Sequence, residues 1–321
     1  MIARCNRSLL DTLREFAEYH KTLQIGHLKM SYDLYFCVPK GRKGLSEKDF
    51  RRHFDKRPNY KKAPRQAWYE NPETGVYFSF EYGTLTDEGW RPPPDLQPAN
   101  VSFNLNYMRP HPFALEAEPE IAALVSTFDL LVDDPQLDGM GSGTYLAEGF
   151  IRGWNAGNRF SCHAPDESER ARLLERAVPS EDLDLAWRWN FSRPSLDATL
   201  ERRDVFVPTV AFVRLSSGTV PVVIWGDGVA IAIPPVKYLV LGRDKFSPAG
   251  LDWSVVPLEA AAAVLGIGES IQDHPVPFTL LDWDRPPSDV EQFFRSMVPI
   301  AGKPQFMPFD QTLPLEHLSQ P

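Results

Sequence analysis

The chain has 321 residues, of which 43% are hydrophobic and 24% charged, a mixture typical of a soluble protein with one or two hydrophobic cores. No apolar run approaches the roughly 20 residues that span a bilayer, and no apolar stretch near residue 1 precedes a small-residue cleavage site. We therefore expect neither a membrane span nor a secretory signal. The three cysteines, Cys5, Cys37 and Cys162, are too few and too widely spaced for a disulfide framework, which indicates a cytoplasmic protein.

The net charge of −9 is unevenly distributed along the chain. Residues 40–65 contain eleven basic and three acidic side chains, so this segment carries +8 and the remainder −17. A basic segment with interleaved aromatic residues is one signature of nucleic-acid binding. However, the acidic remainder would repel a phosphate backbone at long range, so we do not expect a nucleic-acid partner. The simpler interpretation is a solvated basic face.

The first 29 residues differ in character from the rest of the chain. Apolar residues recur at helical spacing over residues 8–24, which predicts one amphipathic helix. The alternating run "SYDLYFCVP" starts directly after Met30, so we expect the globular fold to begin at Met30. Residues 1–29 are then an accessory helix that packs on the fold, mediates self-association, or is a translated extension upstream of the natural start.

Residues 30–163 alternate between strand and helix signals. Strands are predicted at 31–39, on each side of residues 71–75 within 65–83, at 99–110 and at 128–132. Helices are predicted at 46–57, 114–128 and 143–155. "NPETG" at 71–75 carries turn residues between two strand-forming runs and predicts a β-hairpin. This order predicts an α+β domain with an antiparallel or mixed sheet, which we assign as ferredoxin-like.

A charged, proline-bounded junction at 164–184 leads to a second domain over 185–321. Its strands are almost continuously apolar and are separated by turns at 216–218 and 226–228. This pattern predicts a β-meander covered on both faces, within a second α+β region.

No catalytic or cofactor motif is present. The sequence has no HExxH, no paired CxxC and no GxSxG motif. Cys162 and His163 are neighbours, but adjacent side chains point apart on a helix or strand, so they are not expected to act as nucleophile and base. We expect no catalytic residue and no cofactor.

The stretch "LLVDDPQLDGMGSG" offers the main alternative to a binding protein. Asp133, Asp134 and Asp138 follow a predicted strand and precede glycines, an arrangement that can hold a hard metal ion. A metal-dependent hydrolase or transferase would use these carboxylates, with Arg109 as an anion contact or His111 as a base. The competing interpretation is a turn, since Asp-Asp-Pro is also favourable turn chemistry.

Acidic and aromatic residues alternate in the C-terminal half. The candidate binding residues are Trp225, Asp227, Asp252, Trp253, Asp282, Trp283 and Asp284. Each tryptophan by itself is expected in the core, but together on a surface they would suit a basic protein partner, with aromatic anchors and steering carboxylates.

The opening "MSYDLYF" and the later "FNLNYMRPHPFALEAEPEI" and "FDLLVDDPQ" resemble uncharacterised bacterial proteins, some of them immunity-like proteins found beside secreted toxins. The resemblance covers residues 30–160. It implies a protein-binding module, in its sharpest form an inhibitor that occludes a basic toxin domain. It assigns no functional residue.

Overall fold

The computed structural model describes residues 31–83, 90–163, 166–247 and 250–318. Within these ranges the chain forms helices and several separate sheets, which confirms the α+β class. The predicted helix at 8–24 and the expected start of the fold at Met30 lie outside the described residues. None of the helices in the described ranges combines the length and apolar character needed to cross a bilayer.

A seven-stranded sheet dominates the N-terminal half. Its strands are β1 (Ser31–Pro39), β2 (Tyr60–Ala63), β3 (Gln66–Glu70), β4 (Tyr77–Tyr82), β5 (Leu96–Asn106), β6 (Leu131–Asp133) and β7 (Ser142–Gly143). They lie in the order β2-β3-β4-β5-β1-β6-β7, and every pairing is antiparallel. The antiparallel option is therefore the one found. Strands β5 and β6 flank β1 and are connected through the helix Pro112–Phe128, as in a split βαβ unit, and the ferredoxin-like assignment as a whole stays a prediction. The hairpin around residues 71–75 is confirmed, with Gly75 at φ +74°.

Three helices pack on one face of this sheet: α1 (Glu47–Phe54), α2 (Pro112–Phe128) and α3 (Ala147–Ser161). Ser46 caps α1 by accepting a hydrogen bond from the Asp49 amide. Since side chains alternate along a strand, β1 directs Tyr32, Leu34 and Phe36 to one side, where they meet aromatic and aliphatic residues of the three helices. The other side of the sheet carries the polar residues.

The C-terminal half contains smaller sheets. Its helices are α4 (Glu167–Leu174), α5 (Ser180–Leu200), α6 (Ala262–Leu265) and α7 (Ser288–Ser296). Its strands are β8 (Ala177–Val178), β9 (Ala211–Leu215), β10 (Gly218–Gly226), β11 (Ile231–Ile233), β12 (Tyr238–Arg243), β13 (Asp252–Pro257), β14 (Glu269–Ile271), β15 (Phe278–Leu281), β16 (Phe306–Met307) and β17 (Leu313–Pro314). They form sheets of order β13-β12-β10-β9-β16, β11-β15-β14 and β17-β8.

The predicted β-meander is wrong in one respect. The turn at 226–228 does not return the chain beside β10, because β11 pairs with β15 in another sheet and β12 then runs parallel to β10. Asp227 explains this path: its backbone has φ +47°, and its carboxylate accepts hydrogen bonds from the amides of Asp244 and Lys245. The prediction that the strands are covered on both faces agrees with the structure, since apolar clusters lie on both sides of β10.

Two hydrophobic cores occupy the two halves. One is built from residues between Tyr32 and Trp154, the other from residues between Val178 and Phe294. Helix α5 touches both, because Trp187 packs against the first core while Trp189 is buried in the second. The division of the chain into domains at 164–184 stays a prediction.

Candidate functional site

The polar side of the seven-stranded sheet is the candidate site, and we call it the outer face. It consists of two lateral rows of side chains that follow the strand register. One row is Lys61, Trp68, Ser79, Asn104 and Asp33. The other crosses all seven strands and is Ala63, Gln66, Glu81, Ser102, Tyr35, Asp133 and Ser142. Every side chain in the two rows except Ser79 is exposed or half-buried, so this face is in contact with solvent.

An acid–aromatic group lies at the β1–β6 end of the outer face. The rings of Tyr35 and Trp90 stack with centroids 4.5 Å apart and an angle of 12° between their planes. The indole N–H of Trp90 donates a 2.6 Å hydrogen bond to Asp133, whose other oxygen accepts from the Ser142 hydroxyl. These bonds fix a flat aromatic surface directly beside a carboxylate.

A second acid–aromatic group lies toward the β3–β4 end. Trp68 and Tyr77 stack at 5.5 Å with 16° between their planes, and the Trp68 N–H donates to Glu70 at 3.3 Å. Glu70 also forms an ion pair with Lys61. The geometry of the first group is therefore repeated here, with one carboxylate held against each aromatic stack.

Polar side chains fill the space between the two groups. Asp33 accepts hydrogen bonds from Asn104 at 2.6 Å and from Ser31 at 3.0 Å, and Gln66 donates to Glu81 at 3.3 Å. With Glu70 included, the outer face presents four acids, Asp33, Glu70, Glu81 and Asp133. They face Lys61 and the Arg109 guanidinium, which lies 5.5 Å over the Tyr77 ring, so a local excess of negative charge remains. The pKa of the buried Cys37 thiol is raised to about 12, mainly by burial. The negative charge of Asp133 adds to that shift.

The predicted acid–aromatic cluster of the C-terminal half is not a surface. Trp225 is fully buried, with its N–H bonded to the Val229 carbonyl oxygen, and Trp253 is only 4% exposed. Trp283 is half-buried and donates to the Gly228 carbonyl oxygen. The hypothesis of exposed aromatic anchors is therefore wrong for Trp225 and Trp253. Trp225 packs against Phe293 and Phe294 of helix α7, and Trp253 lies in a small apolar cluster between strands.

The acids of that predicted cluster have structural roles or lie apart. Asp227 is 7% exposed and organises the turn at 226–228. Asp252 forms a two-point ion pair with the buried Arg243, and Asp282 pairs with Arg203. Asp284 is exposed. These carboxylates do not form one binding surface with the tryptophans.

The three candidate metal ligands are not brought together. Asp134 is buried and accepts hydrogen bonds from the Tyr32 hydroxyl and from the amides of Gln136 and Met140. Asp133 points to the outer face, and Asp138 is exposed. Within the described ranges no group of three or more histidine, cysteine or acidic residues is arranged to hold a metal ion. The turn interpretation of this stretch is the one that the geometry supports.

The candidate anion contact and base are held by other partners. Arg109 donates through Nε to the Tyr77 hydroxyl at 2.8 Å. His111 lies at the start of α2, and its Nε2 is 2.9 Å from Asp184. Neither side chain is directed at Asp133 or Asp134 by these contacts.

The basic segment 40–65 forms the solvated face that the sequence predicts. Ten of its eleven basic side chains are exposed, on α1, on β2 and in the adjoining loops. Several pair with nearby acids, as in Arg42 with Asp129 and Lys62 with Asp55.

The outer face was missed at the sequence level, although part of its signal was visible. The alternation in "SYDLYF" assigns Asp33 and Tyr35 to one side, but strand order decides which strands extend that side. Trp90 lies in no strand and reaches the face through its contacts with Tyr35 and Asp133. No protein-family model, no curated protein and no solved structure matches this chain.

Proposed function

We propose that this protein is a non-enzymatic binding module whose outer face docks a basic protein partner. The observation that carries the proposal is the pair of acid–aromatic groups, Trp90 with Asp133 and Trp68 with Glu70, on one partly solvent-exposed sheet face. Aromatic rings with few rotatable bonds supply contact area at low entropic cost, and neighbouring carboxylates steer a cationic surface into register.

In its sharpest form the partner is a basic toxin domain encoded beside this chain, and the protein inhibits the toxin by covering its functional surface. Three features support this form: the resemblance of residues 30–160 to immunity-like proteins, the charge of −17 outside the basic segment, and the acids of the outer face. Negative charge speeds the encounter with a basic partner, while the stacked aromatic groups hold the complex once it has formed.

Titration calorimetry with the proteins encoded next to this chain tests the proposal at two salt concentrations. The face variant is Asp33→Asn with Asp133→Asn, which removes two charges and keeps the side-chain shapes. We expect the face variant to weaken binding about tenfold or more, with the larger loss at low salt. The matched control is Asp197→Asn with Glu259→Gln, which removes two exposed charges elsewhere.

The proposal fails if no neighbouring protein binds the wild-type chain. It also fails if a neighbouring protein binds the face variant as tightly as it binds the wild type. Equal losses in the face and control variants would show a dependence on net charge alone, and the outer face would then not be the binding surface.

A further inference from the structure

Two arginines from distant parts of the sequence reach one region at the seam between the halves. Arg109 follows strand β5, and Arg176 lies between helix α4 and strand β8. Their neighbours Met108 and Ala177 pack against the same small apolar cluster, which consists of Cys162, Leu173, Leu313 and Leu318. Both arginines therefore adjoin residues anchored on one apolar cluster.

Each guanidinium is anchored through its Nε atom. Arg109 donates from Nε to the Tyr77 hydroxyl at 2.8 Å and from Nη1 to the Met108 carbonyl oxygen at 2.9 Å. Arg176 donates from Nε to the Gln311 carbonyl oxygen at 2.6 Å. In addition, the side-chain oxygen of Asn158 accepts hydrogen bonds from the backbone amides of Met108 and Arg109. These bonds hold the backbone at Arg109 in place. The terminal nitrogens are thereby oriented while several of their donor positions stay unused.

The two positive charges lack a carboxylate partner in the part of the chain that the structure describes. Both side chains are half-buried, yet within the described residues neither forms an ion pair at 4.0 Å or less. Burial lowers the pKa of the Arg176 guanidinium, and the nearby positive charge of Arg109 lowers it further. The acids Asp310 and Glu169 act on Arg176 in the opposite sense without pairing with it. Two partly desolvated like charges are costly unless an anion compensates them.

We propose that Arg109 and Arg176 form a binding site for the phosphate group of a small molecule or for inorganic phosphate. Guanidinium groups present planar, forked donors that match the oxygens of a phosphate, and two forks anchored at Nε leave their outer N–H groups for the ligand. The site joins the two halves of the fold, because one arginine belongs to each. Arg109 also touches the outer face through Tyr77, but phosphate alone is the probe, so the site is tested separately from partner binding.

Thermal unfolding in increasing sodium phosphate, compared with sodium chloride at the same ionic strength, tests this site. We expect a saturable rise in Tm of about 2–4 °C in phosphate only, because a ligand bound by the folded state alone stabilises it. The variant Arg109→Lys with Arg176→Lys keeps both charges but loses the forks, and we expect its phosphate affinity to fall at least about tenfold. Lys48→Gln with Arg51→Gln in the exposed basic segment is the control and should keep the full shift.

Three results would overturn the site: no saturable difference between phosphate and chloride for the wild type, an undiminished shift in the double lysine variant, or loss of the shift in the control variant. The last result would place phosphate on the basic segment instead. If the double lysine variant is poorly folded, Arg176→Lys alone supplies the comparison, and a wild type without a saturable shift overturns the site by itself.

Discussion

The carboxylate of Glu116 accepts a 2.7 Å hydrogen bond from the indole N–H of Trp187, which joins helix α2 of the N-terminal half to helix α5 of the C-terminal half. The other oxygen of Glu116 accepts from Tyr69, Asn71 and Thr74 on the β3–β4 hairpin. Glu116 is only 5% exposed, and burial raises its pKa while the four hydrogen bonds oppose that change. One acid thus ties three elements together in a dry environment.

Glu116→Gln should destabilise the protein by about 2–3 kcal/mol. The amide group would direct its own donors at groups that themselves donate, so at least one buried donor loses its acceptor. Urea unfolding at pH 7 measures the change. Glu148→Gln, at an exposed position of helix α3, should change stability by less than about 0.5 kcal/mol. Equal stabilities of Glu116→Gln and wild type would show that this buried network contributes nothing to the fold.

Tyr32→Phe should lower the free energy of unfolding by about 1–3 kcal/mol, because Asp134 loses a hydrogen-bond donor. The Tyr32 hydroxyl donates to the buried Asp134 carboxylate, and without it only the Gln136 and Met140 amides satisfy that group. Tyr107→Phe is a milder control, because the Tyr107 hydroxyl makes a longer bond of 3.3 Å to Gln136. Chemical denaturation compares the two variants. A larger loss for Tyr107→Phe than for Tyr32→Phe would contradict the importance given to Asp134.

Gly153→Ala should destabilise the protein although it improves helix propensity. A Cβ at this position of α3 would lie 2.8 Å from the Gly139 Cα and 2.9 Å from the Tyr32 hydroxyl oxygen. The loop 134–141 would have to move, at a cost of about 1–3 kcal/mol. Glu148→Ala on the same helix is the control for helix propensity. A Tm of Gly153→Ala above that of the wild type would show that the loop 134–141 moves without a cost in stability.

Stability should fall as the pH decreases from 6.5 toward 4. Burial lowers the pKa of His317 from 6.5 to about 4, and the charges of Arg159 and His111 lower it further. Burial and the charge of Arg57 lower the pKa of His53 to about 4 as well. An unfolded chain binds these protons first, so the stabilisation is complete above pH 6.5 and is lost as the pH falls through 4.

For His317, which is 7% exposed, the expected loss is about 2–3 kcal/mol. His317→Gln keeps an acceptor for the Asn158 amide, so this variant should lose less stability than the wild type between pH 6.5 and 4. The free energy of unfolding of the His317→Gln variant and of the wild type is measured at three pH values. Glu116 is present in both proteins, so its contribution cancels in the difference. His163→Gln, at an exposed site, should behave as the wild type does; a pH profile of His317→Gln that matches wild type would refute the assignment.

Local patterns were reliable where a short segment carries its own physical signal. The period of two in "SYDLYF" separates Tyr32, Leu34 and Phe36 from Asp33 and Tyr35, because successive side chains of a strand point to opposite sides. Turn chemistry in the same way locates the 71–75 hairpin. By contrast, the turn at 226–228 was placed correctly but its consequence was not, since the contacts of Asp227 with residues 244 and 245 lie far along the chain.

The sequence by itself determined the α+β class, the three helices and five strands predicted within residues 30–163, the basic face of residues 40–65 and the two sides of strand β1, because neighbouring residues set these properties. Tertiary structure decided which tryptophans are buried, which carboxylates meet aromatic rings, and that Arg109 and Arg176 share one region. Those properties depend on strand order and on packing between residues tens of positions apart. Burial and the electric field at a side chain are sums over neighbours in space, and the linear order of residues does not specify those neighbours.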